Sequence, residues 1–155
     1  MVSATTRRDS AGLCFFTAED GSAGRELWFA DPATLTVTRV DVRPGSASSD
    51  LSDLADVVGT LYFAANGGIG TGKELWMWDA AANQARQVWN INPGTAAIHS
   101  NPAGLRGVGA LLYFSAERSN TSGRELFAFD PTLPASSSNP RELALEESRI
   151  IVVEH

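Results

Sequence analysis

Three glutamates stand at one place in a repeated block and are the first candidates for chemistry. The copies read Gly24-Arg25-Glu26-Leu27-Trp28, Gly72-Lys73-Glu74-Leu75-Trp76 and Gly123-Arg124-Glu125-Leu126-Phe127. Gathered round a channel, such acids would offer the two carboxylates that glycoside hydrolysis needs at a defined separation. Their presence in every copy argues instead for a duty that every copy shares. A buried carboxylate that accepts backbone N–H groups, or pairs with its basic neighbour, holds each unit together. Glu26, Trp28, Glu74, Trp76, Glu125 and Phe127 are therefore read as structural repeat positions, and no residue is assigned a catalytic role.

Other constellations are weaker. Gly67-Gly68-Ile69-Gly70-Thr71-Gly72-Lys73-Glu74 imitates a phosphate-binding loop, but Glu74 replaces the Ser/Thr that would hold magnesium, and a strand follows instead of a helix N-terminus. The imitation is rejected. Asp50, Asp53 and Asp56, with Asp41 nearby, have the hard oxygen atoms that calcium prefers but not the glycine-centred spacing of an EF-hand. No cofactor is expected, and these acids are where calcium would bind if it did. His99, the one histidine besides the last residue, lies in an expanded turn and is a candidate contact residue. No Ser-His-Asp order or Cys-His pair can be assembled. The lone Cys14 excludes an intramolecular disulfide and reads as a small core residue. Asn120-Thr121-Ser122 has the form of a glycosylation sequon.

The elements that must position these residues follow from the repeat itself. The blocks recur about every 50 residues, a period that signals a repeat architecture. Before each lies an aromatic strand: Cys14-Phe15-Phe16, Leu61-Tyr62-Phe63 and Leu112-Tyr113-Phe114. Polar or Gly-rich turns then lead into the Glu-Leu-Trp strand, which ends at Asp31, Asp79 or Asp130. A further strand is predicted over 35–42, 85–91 and 141–146, and a short apolar stretch over 54–59 and 105–109 opens the second and third units. Four short strands per repeat are the pattern of a β-propeller blade. Leu75-Trp76-Met77-Trp78 is apolar on both alternating faces, as a strand covered on both sides can be. The fold class is all-β, a single repeat domain over 1–155 with blades at about 5–45, 50–95 and 101–147.

The motifs in this order resemble the bacterial Glu-Leu-Trp-x-x-Asp (ELWxxDGT-type) repeat proteins, whose repeats are similar in layout to kelch-type blades. The likeness runs over roughly residues 11 to 130. The chain departs from it with Phe127 for the Trp, with no Gly-Thr pair after each Asp, and with no Pro-Gly turn in the third repeat. The resemblance implies bacterial proteins, frequently secreted or surface-associated, and it implies no defined activity.

Three blades are fewer than the typical four to eight of a closed propeller. The segment Thr5 to Ser10 stands where an inner strand belongs, yet is polar, while Arg149 to Val153 is an apolar strand left over. This predicts that residues 149–153 supply a partner's missing inner strand and that a homodimer closes a six-bladed ring with twofold symmetry. A longer repeat array is the alternative.

Composition narrows the partners. A formal net charge of -6 without a Lys/Arg run argues against nucleic acid and anionic membrane surfaces. No apolar stretch approaches the roughly 20 residues that span a bilayer, and Met1 to Ser10 lacks the apolar core of a signal peptide. The expected function is non-catalytic binding of carbohydrate or protein through loops that vary between repeats. Asp20, Asn66, Arg118, Asn120 and His99 mark those loops. The rivals are an enzyme, hydrolase or lyase, with its site in the central channel, and a purely structural self-assembling repeat.

Overall fold

A computed structural model describes residues 3–8, 12–68, 70, 72–92, 99–118, 123–132 and 150–152. Three four-stranded antiparallel sheets follow one another along the chain. Sheet 1 holds β1 (Ser3–Arg8), β2 (Cys14–Ala18), β3 (Glu26–Asp31) and β4 (Thr36–Val40) in sequence order. Sheet 2 repeats that order with β5 (Ser52–Val57), β6 (Thr60–Asn66), β7 (Lys73–Asp79) and β8 (Gln84–Trp89). Sheet 3 contains β9 (Ala103–Val108), β10 (Leu111–Glu117), β11 (Arg124–Phe129) and β12 (Ile150–Val152). Each aromatic strand pairs with its Glu-Leu-aromatic partner in the same register: Thr17 faces Leu27, Ala64 faces Leu75, and Ser115 faces Leu126.

Alternation along the strands builds the core. Phe15, Leu27, Phe29 and Val40 of sheet 1 meet Leu61, Phe63, Ala65 and Trp78 of sheet 2. Phe15, Phe29 and Trp78 form an aromatic triad with centroids 5.2 to 5.8 Å apart, in the tilted and edge-on geometries that aromatic rings favour. The other face of sheet 2, with Val57, Tyr62 and Leu75, meets Leu105, Leu112, Phe114, Phe127 and Phe129 of sheet 3. Sheet 2 is thus covered on both sides, which is why β7 has no polar residue between Glu74 and Asp79. The first strands also approach closely. A Cβ on Gly107 of β9 would lie 2.5 Å from the Asp56 carbonyl oxygen of β5, so only glycine fits.

The outer faces of sheets 1 and 3 have no neighbouring sheet among the described residues. Cys14, Phe16 and Trp28 are half-buried on the first, and Leu126 is exposed on the third beside a half-buried Tyr113. Sheet 3 is the less apolar of the two. Where sheet 1 shows Cys14, Phe16 and Trp28, it shows Tyr113, Ser115, Leu126 and Ala128, and Arg124 lies across it, bonding to Asn101 O, Ser115 O and Ser115 Oγ.

One expectation about the ends is corrected. The polar segment near the N-terminus does form a first strand: β1 pairs with β2, Arg7 opposite Phe15 and Arg8 opposite Cys14. Main-chain pairing needs no apolar side chain, so polarity did not prevent it. Of the strand predicted over 149–153, residues 150–152 pair within the single chain as the fourth strand of sheet 3, with Phe127 opposite Val152 and Phe129 opposite Ile150. The free edge of β11 needs partners for its N–H and C=O groups, and this segment reaches it within the same chain. The strand predicted over 141–146 lies outside the described residues.

Candidate functional site

The repeated glutamates can be followed atom by atom. Glu74, the second residue of β7, is fully buried, and its carboxylate accepts the Ile91 N–H at 3.0 Å, the Ser100 N–H at 2.9 Å and the Ser100 hydroxyl at 2.6 Å. Glu26 is equally buried and accepts the Val42 N–H at 3.0 Å and the Arg43 N–H at 3.3 Å. In both, the acid draws in the chain just after its own fourth strand. Burial pushes Glu74 up to about 7, with the Ser100 and Ile91 donors opposing it. Burial also raises Glu26, against the amides of Val42 and Arg43.

A serine completes the tie to the next sheet. Ser49 donates its N–H and hydroxyl to Arg25 O, and its own carbonyl accepts the Asn66 N–H at the end of β6. Ser100 repeats this: its hydroxyl reaches Lys73 O at 3.2 Å, and its carbonyl accepts the Glu117 N–H at 2.7 Å. One residue earlier the parallel continues with different chemistry. Ser48 Oγ accepts the Arg25 N–H at 3.0 Å, and His99 Nδ1 accepts the Lys73 N–H at 2.7 Å. His99 is therefore half-buried and occupied with the main chain. Glu125 differs from its two counterparts. It is half-buried, and its carboxylate has no hydrogen bond among the described residues.

The serines were not singled out from sequence, although Ser49-Asp50 and Ser100-Asn101 recur at matching distances from their blocks. That recurrence was the available signal. The likeness of Ser48 and His99 had none, since the two residues share only an acceptor atom.

The loop candidates sit together by topology. Asp20, Asn66 and Arg118 lie in or beside the connections β2–β3, β6–β7 and β10–β11, which hold the same place in each sheet. Asp20 Oδ1 accepts the N–H groups of Ser22 and Ala23 and the Ser22 hydroxyl, and Oδ2 pairs with Arg39 at 3.1 Å. Those donors hold Asp20 down to about 2. Asn66 Oδ1 accepts the Gly68 N–H at 2.9 Å. Arg118 is exposed. Asn120 and residues 95–98 lie outside the described residues.

The acidic residues considered for calcium are dispersed. Asp53 Oδ1 accepts the Gly104 N–H between sheets, Asp56 Oδ1 accepts the Gly59 N–H of its own hairpin, and Asp41 and Asp50 are exposed. Among the described residues no three His, Cys, Asp or Glu side chains converge as a metal site would require. Asp31, Asp79 and Asp130, which close each block, accept backbone N–H groups two or three residues ahead and set the next turn.

No protein-family model matches the chain, and no curated protein matches it in sequence. Among solved structures, the chain is similar to the crystal structure of TolB from Acinetobacter baumannii, with a TM-score of 0.55 and 14% identity. The match covers 86% of this chain but only 31% of the TolB chain. With TolB's β-propeller as the likeness and three consecutive four-stranded sheets stacked face to face, the chain has a β-propeller-like all-β fold.

Proposed function

We propose that this chain is a non-catalytic binding module that recognises a carbohydrate or protein ligand through the loops at one edge of its blades. The observation that carries the reading is the division of labour at that edge. The buried acids Glu26 and Glu74 are spent on backbone donors, whereas the three equivalent loops differ in sequence and present exposed groups. Equivalent loops from successive blades give several contact points to one extended ligand. The faces of the first and last sheets that no sheet covers among the described residues support a second part of the proposal, a homodimer in which the last blade of each copy covers the first blade of the other.

The test is a glycan array and a protein-interaction screen on the native oligomer, with Arg118→Ala and Asn120→Ala as loop variants. Saturable binding weakened by the loop variants is expected. The enzyme reading has one observation in its favour, Glu125, which unlike Glu26 and Glu74 is only half-buried. A hydrolytic activity that Glu125→Gln abolishes would overturn the binding reading, and a monomeric native mass would remove the dimer.

A further inference from the structure

The two linkers between blades are anchored by the same bond through different atoms. Ser48 Oγ accepts the Arg25 N–H at 3.0 Å, and His99 Nδ1 accepts the Lys73 N–H at 2.7 Å. Each acceptor stands one residue before the serine that ties its linker to the next sheet, and each donor one residue before a buried glutamate. A serine hydroxyl keeps its lone pairs across the physiological pH range. An imidazole nitrogen does not. A backbone N–H can only donate, so Nδ1 must be bare and the proton of the neutral ring must sit on Nε2. Once the ring takes a second proton both nitrogens are donors, and an N–H then faces the Lys73 N–H. Histidine is the side chain whose charge ordinarily changes between about pH 5 and about pH 8.

The charges around His99 among the described residues do not favour an imidazolium. On β7, Lys73 is itself a cation, and Glu74 is fully buried with its carboxylate on the Ser100 N–H and hydroxyl. Burial pushes Glu74 up to about 7, so it too takes a proton as pH falls and supplies little negative charge when an imidazolium would form. On sheet 3, Glu117, whose N–H meets Ser100 O, is paired with Arg124 at 3.4 Å. On the side of blade 1, Arg43 lies beside Gly68 and donates to Ser48 O at 3.1 Å. Residues 67–72, between β6 and β7, and 90–98 of the linker contain no titratable side chain. The ring is only half-buried, so once charged it has water to turn to.

We propose that His99 is an acid-sensitive latch on the junction between blades 2 and 3. Protonation at Nδ1 abolishes the bond to Lys73, the ring turns toward solvent, and this corner of the linker opens locally. The bonds of Ser100 and Asn101 to Lys73 O remain, so sheet 3 stays docked. The junction between blades 1 and 2 is held at the same place by Ser48, which does not titrate, and keeps its tie. The latch belongs to the framework and holds whatever the loops bind.

The test is amide hydrogen exchange of the full chain from about pH 5 to about pH 8, corrected for the intrinsic pH dependence of exchange, with Arg25 as the internal reference for Lys73. Lys73 protection should fall at least about fivefold from the upper to the lower pH, the worth of one hydrogen bond lost with its donor left bare, while Arg25 protection stays level. His99→Ser installs the acceptor found at position 48 and should hold Lys73 protection level, with Glu74 intact as a control for its own titration. In the native chain, nitrogen-15 spectra of the imidazole at the upper pH should show Nδ1 without its proton, a reading that needs no variant. The proposal is overturned if Nδ1 carries the proton there, if Lys73 protection stays level in the native chain, if Arg25 falls in parallel with Lys73, or if His99→Ser declines as steeply as the native chain.

Discussion

Replacing Glu74 with glutamine tests whether the buried acid is structural framework and gives that framework a pH signature. The carboxylate accepts three hydrogen bonds, two of them from backbone amides on separate segments. A glutamine of the same shape has one oxygen, so its NH2 group must face a donor and leave it unsatisfied, at a cost of about 1–3 kcal/mol. The native acid carries an opposing penalty. Burial raises it from 4.5 to about 7, so the folded state binds its proton more tightly than the unfolded chain. The favourable contribution of that proton is complete below the unfolded value and is lost as pH rises through the folded one. Between about pH 5 and about pH 8 the native chain should lose roughly 2–3 kcal/mol from this group. Glutamine does not titrate. The variant should therefore be the less stable of the two near pH 5, and the gap should narrow or reverse near pH 8. Urea unfolding followed by tryptophan fluorescence at both pH values measures this directly. An equally steep decline with pH in Glu74→Gln would show that the acid is not the group responsible, and the reasoning would fail.

Three further outcomes are expected. Gly24→Ala should destabilise the chain by about 1–3 kcal/mol in the same assay, because its Cβ would strike the backbone of Ala47 and Ser48, which cannot rotate aside as a side chain can. Val58→Asn should stabilise it by about 1 kcal/mol and raise the melting temperature by about 2–4 °C, since Val58 sits at φ 50° ahead of Gly59, a left-handed turn position that a β-branched residue occupies at a cost. Asp20→Ala should speed hydrogen exchange at the Ser22 and Ala23 amides. The native protection should hold above about pH 4 and fade as pH drops toward 2, because the folded carboxyl is held below its ordinary value.

What could be read from sequence was whatever the repeat wrote more than once in side chains. The aromatic strand, the Glu-Leu-aromatic strand and the closing Asp all carry residue types that strands and turns need, so their pairing partners and order were legible. β1 was not, because Ser3–Arg8 joins its sheet through main-chain groups that leave no mark on composition. The tail was legible as a strand because it is rich in Ile and Val, which suit any open sheet edge. His99 looked like a contact residue because its role, accepting one backbone N–H, is filled by a serine in the neighbouring repeat.

The serine ties redefine what a modular unit is in this chain. Ser49 is bonded to blade 1 by its N–H and hydroxyl and to blade 2 by its carbonyl, and Ser100 does the same one repeat later. A sheet excised at its strand boundaries would leave both neighbours with severed ties. A segment running from just after Ser49 through Ser100 could be copied or removed with every tie preserved in kind, because Ser49 would then offer its carbonyl to Glu117 as Ser100 does now. The heritable brick of this architecture is offset from the visible blade by half a linker, and duplications that respect that offset are the ones that should fold.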